Sequence, residues 1–328
     1  MYINRVFELS MVLDTDKFED IFSKCYCAER ESCDDNTELV DRSLANKGII
    51  VQYRISQYKK KIRLIIDAAT ITGGMLSNPE KLINKLEKQI NKYFLAEISL
   101  DDFTLSGVTL STLIDVGTRE TVAAYLKVLR RIGKVKGFEP TSFDWLDGDK
   151  GFCLRGKSNG VDFLLYDLEW VVADRLKLIG EKREEIKSAT SKYKGILQTE
   201  VRLTKPKAIR KYTCSYGIAD QITELSEKCQ TILMENFVRV IPYGGFYKKD
   251  AATEIVKREV KNEVIRRRML RLLALIPEKK SLYLAQRAMS YRHPDNLLVE
   301  FAKINLSPIN ISMRQDTKFL KNIYYYFN

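Results

Sequence analysis

The sequence predicts an α+β fold: a mostly antiparallel sheet with packed helices over residues 1–205, followed by a helical C-terminal region over 206–328. Three observations carry the fold prediction. Apolar–polar alternations of period two recur between helical stripes in the first two-thirds of the chain, Ser158-Asn159-Gly160 separates two apolar runs as a hairpin turn, and strand patterns become scarce after Lys205-Pro206-Lys207. At 328 residues the chain is long enough for a well-buried core and, at about 100–200 residues per domain, for two domains. With 45% hydrophobic and 30% charged residues and seven prolines it is neither disordered nor fibrous in composition.

Residues 2–13 alternate as a strand, and 14–31 follow as a helix capped by Asp14, Thr15 or Asp16, with Phe18, Ile21 and Phe22 on one face. Residues 33–46 are polar and read as a loop. Strand-like runs at 48–56 and 61–69 flank Lys59, Lys60 and Lys61, a cluster that suits an exposed hairpin turn. Asn78-Pro79-Glu80 starts a helix, since proline's fixed φ and missing N–H are tolerated in a first turn; Leu82, Ile83, Leu86, Ile90 and Phe94 form its apolar stripe. A strand over 103–116, a helix over 118–132 with Val122, Tyr125, Leu126 and Leu129 inward, two strands around Asn159-Gly160, a helix from Glu169 to about Thr190 and a strand over 195–203 complete the first region. From Gly217 the pattern is mostly helical, and helices at 253–275 and 279–290 could form a helix-turn-helix-like unit.

Charge and rare residues limit the chemistry. There are 55 Lys+Arg against 43 Asp+Glu, a net +12, and segment 253–292 carries eleven of those cations against four glutamates. Such a surplus favours a polyanionic partner, nucleic acid first and an anionic membrane surface second. No apolar run approaches the roughly 18 residues that span a bilayer, and Met1 to Asp14 has no signal-peptide pattern, so a cytoplasmic location without membrane insertion is expected. Of six cysteines, Cys25, Cys27 and Cys33 cluster, and no Cys-x-x-Cys pair occurs; they read as reduced structural thiols. The single histidine, His293, precedes a proline, leaving little room for a nucleophilic triad and none for a two-histidine metal cluster.

The chain is organised around Gly151–Leu203. An apolar run from Val161 to Leu165 delivers Tyr166, Asp167 and Glu169 at its end, and a later alternation puts Glu200 and Arg202 on one strand face with Val201 and Leu203 on the other. Each has a plainer structural reading: Tyr166 as a strand tyrosine, Glu169 and Asp115 as helix caps, Glu200 and Arg202 as a cross-sheet ion pair. Tyr324, Tyr325 and Tyr326 form a rival phenol cluster that also suits helix-end packing or base stacking.

Several stretches, in order, resemble the replication initiation factors of Gram-positive plasmids, phages and integrative elements, which start rolling-circle replication. They are Leu113-Ile114-Asp115-Val116-Gly117, Gly156-Lys157-Ser158-Asn159-Gly160, Leu165-Tyr166-Asp167-Leu168-Glu169, Glu200-Val201-Arg202-Leu203 and the basic helical C-terminus. The motifs are short, and the resemblance rests on their order over most of the chain. It implies a nicking-joining endonuclease in which Tyr166 attacks a DNA phosphodiester, forms a 5′-phosphotyrosyl bond and frees a 3′-hydroxyl. It also implies Mg²⁺ or Mn²⁺ held by Asp115, Glu169 and Glu200, with Arg202 neutralising phosphate charge. DNA, as duplex origin and nicked single strand, would then meet Lys205, Lys207, Arg266, Arg267, Arg268, Arg271, Lys279 and Lys280; a host helicase or polymerase and a homodimer are further expected partners. The chain departs from the family pattern at Gly107-Val108-Thr109, where Arg-hydrophobic-Asp is common, and at Leu168, where a lysine is common. These departures keep open the alternative of a DNA-binding relative that has lost its nuclease.

Overall fold

The alternation at the N-terminus forms β1 (Asn4–Leu13), in which Phe7, Leu9 and Met11 enter the core. The computed structural model describes residues 2–25, 37–56, 59–74 and 78–327; Cys27, Cys33 and the predicted end of the first helix lie outside these. Asp14 caps α1 (Thr15–Cys25) by accepting from the Lys17 N–H at 2.8 Å, and the helix buries Phe18, Ile21 and Phe22, as its periodicity predicts. The stretch read as a loop instead contributes β2 (Thr37–Asp41), paired with β3 (Ile49–Ile55). An edge strand needs only one partner and one covered face, so its polar residues leave no alternation to detect.

The remaining elements follow in order: β4 (Lys60–Asp67), α2 (Ala68–Thr72), α3 (Pro79–Tyr93), β5 (Thr104–Asp115), α4 (Arg119–Leu129), β6 (Glu139–Pro140), β7 (Gly151–Gly156), β8 (Val161–Asp167), α5 (Leu168–Leu178), α6 (Arg183–Thr190) and β9 (Ile196–Leu203). Asn78 caps α3 by accepting from the N–H groups of Glu80 and Lys81, and Thr118 caps α4 through the Thr121 N–H. The helix predicted as continuous over 169–190 is two helices, because the chain turns at Gly180 with φ +84° after the exposed Leu178 and Ile179.

The nine strands form one sheet in the order β2-β3-β4-β1-β5-β9-β8-β7-β6, and every adjacent pair is antiparallel, so the fold is α+β as predicted. Cross-strand register places Tyr53, Ile62, Leu9, Val108, Val201 and Phe163 on the face that carries the main core. Phe18 and Phe22 of α1 meet Tyr53 edge-on there.

Beyond Lys205 come α7 (Pro206–Arg210), α8 (Ile218–Val240), β10 (Phe246–Tyr247), α9 (Lys249–Glu259), α10 (Glu263–Lys279), α11 (Leu282–Ala288), α12 (Asp295–Lys303) and β11 (Phe319–Leu320). The helix expected over 253–275 is divided at Val260–Asn262, where the Asn262 side chain accepts from the N–H groups of Val264 and Ile265 and starts α10 afresh. Helix α8 lies against β5, β8 and β9, and its Phe237 ring meets Phe163, Tyr324 and Phe327 at centroid distances of 5.8, 5.1 and 4.6 Å. The composition change at Lys205 therefore marks the end of the sheet, while the hydrophobic core runs on across it to Ile323.

A smaller apolar cluster (Leu146, Cys153, Leu164, Tyr166, Leu168 and Val171) lies on the opposite sheet face. Burial pushes the Cys153 thiol up to about 12, since removing the thiolate from water disfavours it. Cys153 is expected to resist alkylation at pH 8 until the chain unfolds, whereas the exposed Cys214 reacts in the native state; peptide-resolved labelling with and without urea checks this.

Candidate active site on the open sheet face

Period two in β8 and β9 brings three polar side chains of the site together. Register pairs Asp162 with Arg202, Leu164 with Glu200 and Tyr166 with Gln198, so Tyr166, Glu200 and Arg202 share the sheet face away from the main core. The Tyr166 hydroxyl donates to Glu200 Oε1 at 2.5 Å, and Gln198 Nε2 donates to the same oxygen at 2.8 Å. Arg202 donates to the other oxygen through Nε at 2.9 Å and Nη2 at 2.6 Å. Tyr166 is 3% exposed and Glu200 6%. Desolvation first, then the adjacent Glu200 carboxylate, push the Tyr166 phenol well above its ordinary value, while Arg202 opposes them. At neutral pH Tyr166 is thus a protonated phenol whose hydrogen is already aimed at a carboxylate.

A loop between β6 and β7 roofs this constellation. The Trp145 ring lies edge-on to Tyr166 at 5.3 Å, and the Arg202 guanidinium is 5.4 Å from the ring centroids of both Phe143 and Trp145. Trp145→Ala is expected to uncover the phenol, and nitration of Tyr166 by tetranitromethane, followed by peptide mapping, should rise several-fold. Unchanged nitration would show that Trp145 does not close the site.

The other candidate ligands lie elsewhere. Asp115 is exposed at the end of β5, accepts the Gly117 N–H at 2.9 Å and pairs in register with Ile196. Ile196 and Glu200 are four positions apart along β9, roughly 13 Å of extended chain. Glu169 is buried at the start of α5, where Arg119 of α4 grips it through Nε at 2.6 Å and through Nη2. Asp167, not Glu169, caps α5, accepting from the Trp170 N–H at 3.1 Å; burial raises its pKa. Among the described residues no group of three or more His, Cys, Asp or Glu side chains could hold a metal ion. Hard cations such as Mg²⁺ need several convergent oxygens, and Glu200 already spends both of its oxygens on hydrogen-bond donors. The side chains present do not form the expected three-carboxylate cage.

Sequence reading missed neighbours that register supplies. Asp162 is buried beside Arg155, 3.3 Å from its Nε, in line with Arg202 and Thr109. Glu8 of β1 pairs with Arg63 of β4 opposite Gly107, where a Cβ would come within 2.6 Å of the Glu8 carboxylate. Gly107 makes room for this ion pair. The parity of Glu8 and Arg63 within their strands was the available signal; their pairing was not. A groove of about 390 Å³ crosses the face between these groups, lined by Arg54, Lys61, Arg63, Arg155 and Arg202 against Glu8, Glu38 and Asp162. Arg63, Arg155 and Arg202 are held by Glu8, Asp162 and Glu200, and Arg54 and Lys61 give the groove the positive surplus that suits a polyanion.

The C-terminal cations are dispersed. Arg267 and Arg271 lie on the exposed side of α10, opposite Met269, Leu272, Leu273 and Ile276, and Arg267 pairs with Glu263 at 2.9 Å. Arg268 covers the Tyr291 ring at 4.3 Å, and Arg266 reaches back to the Val260 carbonyl at 3.4 Å. Lys279 pairs with Glu278 at 2.6 Å, and Lys280 is exposed at the helix end. Lys205 and Lys207 are exposed at α7, where Lys205 donates to the Lys157 carbonyl of the β7–β8 hairpin at 2.5 Å. In the rival phenol cluster, Tyr324 donates to the Ile241 carbonyl at 2.5 Å and packs on Phe237. His293 is exposed.

No helix among the described residues is long and apolar enough to cross a membrane. No family model matches the chain, and no curated protein matches it. Among solved structures, a rolling circle replication initiator protein from Geobacillus stearothermophilus is similar to it at 10% identity and a TM-score of 0.32, the match covering 95% of this chain and 98% of that one.

Proposed function

We propose that this chain is a DNA-binding replication initiation protein of a mobile element, which nicks one strand through Tyr166 to start rolling-circle replication. The observation that carries the reading is the Tyr166–Glu200–Arg202 constellation beside a groove rich in cations. In the proposed reaction Glu200 takes the phenol proton as the Tyr166 oxygen attacks phosphorus. The new O–P bond forms, the bond from phosphorus to the 3′-oxygen breaks, and that oxygen leaves as a hydroxyl after protonation, available to a polymerase. Arg202, reoriented from Glu200, neutralises a non-bridging oxygen. Because the phenol is buried, the loop bearing Phe143 and Trp145 has to open before DNA arrives.

The test is covalent trapping on supercoiled origin DNA, with and without added Mn²⁺, followed by peptide mapping of the adduct. An adduct on Tyr166 is expected; its absence in both conditions sinks the nicking half of the reading. A second reading, DNA binding without nicking, is favoured by the burial of Tyr166 and by the separation of Asp115, Glu169 and Glu200. On that reading the protein binds DNA with affinity that falls steeply as salt rises and forms no adduct.

A further inference from the structure

We propose that a second groove, sharing no lining residue with the groove beside Tyr166 and built between the Gly133–Gly137 hairpin and helices α11 and α12, holds single-stranded DNA. The choice of DNA rests on the function proposed above; the groove itself rests on its own residues. Gly133 and Gly137, at φ +70° and +83°, bracket a tight turn in which Val135 and Phe138 exchange backbone hydrogen bonds of 3.2 and 2.8 Å. This turn projects Lys134 and Lys136 on either side of Val135. Arg239, at the end of α8, locks the turn by donating to the Lys136 carbonyl at 3.1 Å and lying over Phe138 at 4.9 Å.

The opposite wall carries Tyr283 and Arg287 of α11, then Tyr291, and together these surfaces enclose about 760 Å³. Lys134 and Arg287 lie 6.0 and 5.9 Å from the centroid of Tyr283. Four lining cations face one lining carboxylate, Asp295, which accepts a hydrogen bond from Gln286 at 3.2 Å.

This combination selects its occupant. The cation excess, with Lys134 also paired to Glu139 at 2.7 Å, favours a phosphate backbone, and a base stacks on the partly exposed Tyr283 and Tyr291 by displacing the cations that lie over their rings. The volume falls within the range of small-molecule clefts, about 300–1,000 Å³, which suits splayed bases and excludes a rigid duplex. Arg268 of α10 lies over the Tyr291 ring at 4.3 Å and adds a further cation at that end of the groove.

The experiment measures binding of a fluorescent oligo-dT to the full chain by anisotropy. Tyr283→Leu/Tyr291→Leu removes stacking while keeping apolar bulk, and Lys136→Gln/Arg287→Gln removes two charges; circular dichroism and thermal melting confirm that each folds. Each pair is expected to weaken oligo-dT binding about tenfold or more and to leave duplex binding unchanged. Losing two cations should also flatten the log-affinity against log-salt slope by roughly 1.4. Oligo-dT affinity unchanged in both variants, no oligo-dT binding by the wild-type chain, or equally effective competition by polyglutamate would overturn the proposal. Trapping at Tyr166 is scored separately: binding through the groove without any adduct removes the nicking function alone, and nicking with unaltered oligo-dT binding by both variants removes the groove alone.

Discussion

Tyr166→Phe is expected to abolish covalent DNA adduct formation, by at least about a thousandfold, while the chain stays folded. Phenylalanine keeps the ring that packs edge-on against Trp145 and within the apolar cluster of Leu164, Leu168 and Val171. What disappears is one hydroxyl and its hydrogen bond to Glu200, which retains Gln198 on one oxygen and Arg202 on the other. A hydrogen bond to a charged group contributes about 1.5–3 kcal/mol, and the remaining donors keep Glu200 from being stranded, so the stability loss should lie at or below that range. Denaturing gels of end-labelled DNA after incubation read the adduct directly. Adduct formation at the wild-type level in Tyr166→Phe would falsify the nucleophile assignment and return attention to Tyr325, which is exposed, unlike Tyr324.

Phe237→Ala should produce the largest loss of stability, about 3–5 kcal/mol. Phe237 is fully buried in α8 and touches a sheet residue, Phe163, on one side and the C-terminal residues Tyr324 and Phe327 on the other. Truncation leaves a cavity at the junction of sheet and helices that the surrounding rings cannot fill without leaving their own contacts. Urea unfolding followed by circular dichroism should show one transition, moved to lower denaturant with its slope unchanged, because one core spans residues before and after Lys205. Two transitions, with only the later residues destabilised, would show that 206–328 unfolds as a unit of its own. Tyr216→Ala is the control: at 93% exposure it should change stability by no more than about 0.5 kcal/mol.

Much of the sheet was legible because its signals are local. Strands β1, β3, β4, β5 and β9 announce themselves by strand-like patterning, β8 by its apolar run, the β7–β8 hairpin by Asn159-Gly160, and α3 by Asn78-Pro79 and its apolar stripe. β2 was not legible, since a polar edge strand is held by its neighbour's backbone and not by a hydrophobic face of its own. The breaks at Gly180 and at Val260–Asn262 were missed because helical periodicity persists across a turn that one left-handed glycine or one asparagine cap can impose.

For the site, sequence parity alone determined that Glu200 and Arg202 share a strand face, and the sequence placed Tyr166 at the end of an apolar run, where only the resemblance gave the phenol a role. The tertiary structure decided which carboxylate that phenol meets, that Arg119 claims Glu169, that Asp115 stays at the far end of β5, and that Phe143 and Trp145 roof the group. Tyr166 and Glu200 are 34 residues apart. Their meeting depends on strand order and register, which are set by the hydrogen-bonded ladder and the core packed beneath it, whereas periodicity reports only which side of its own strand each residue occupies.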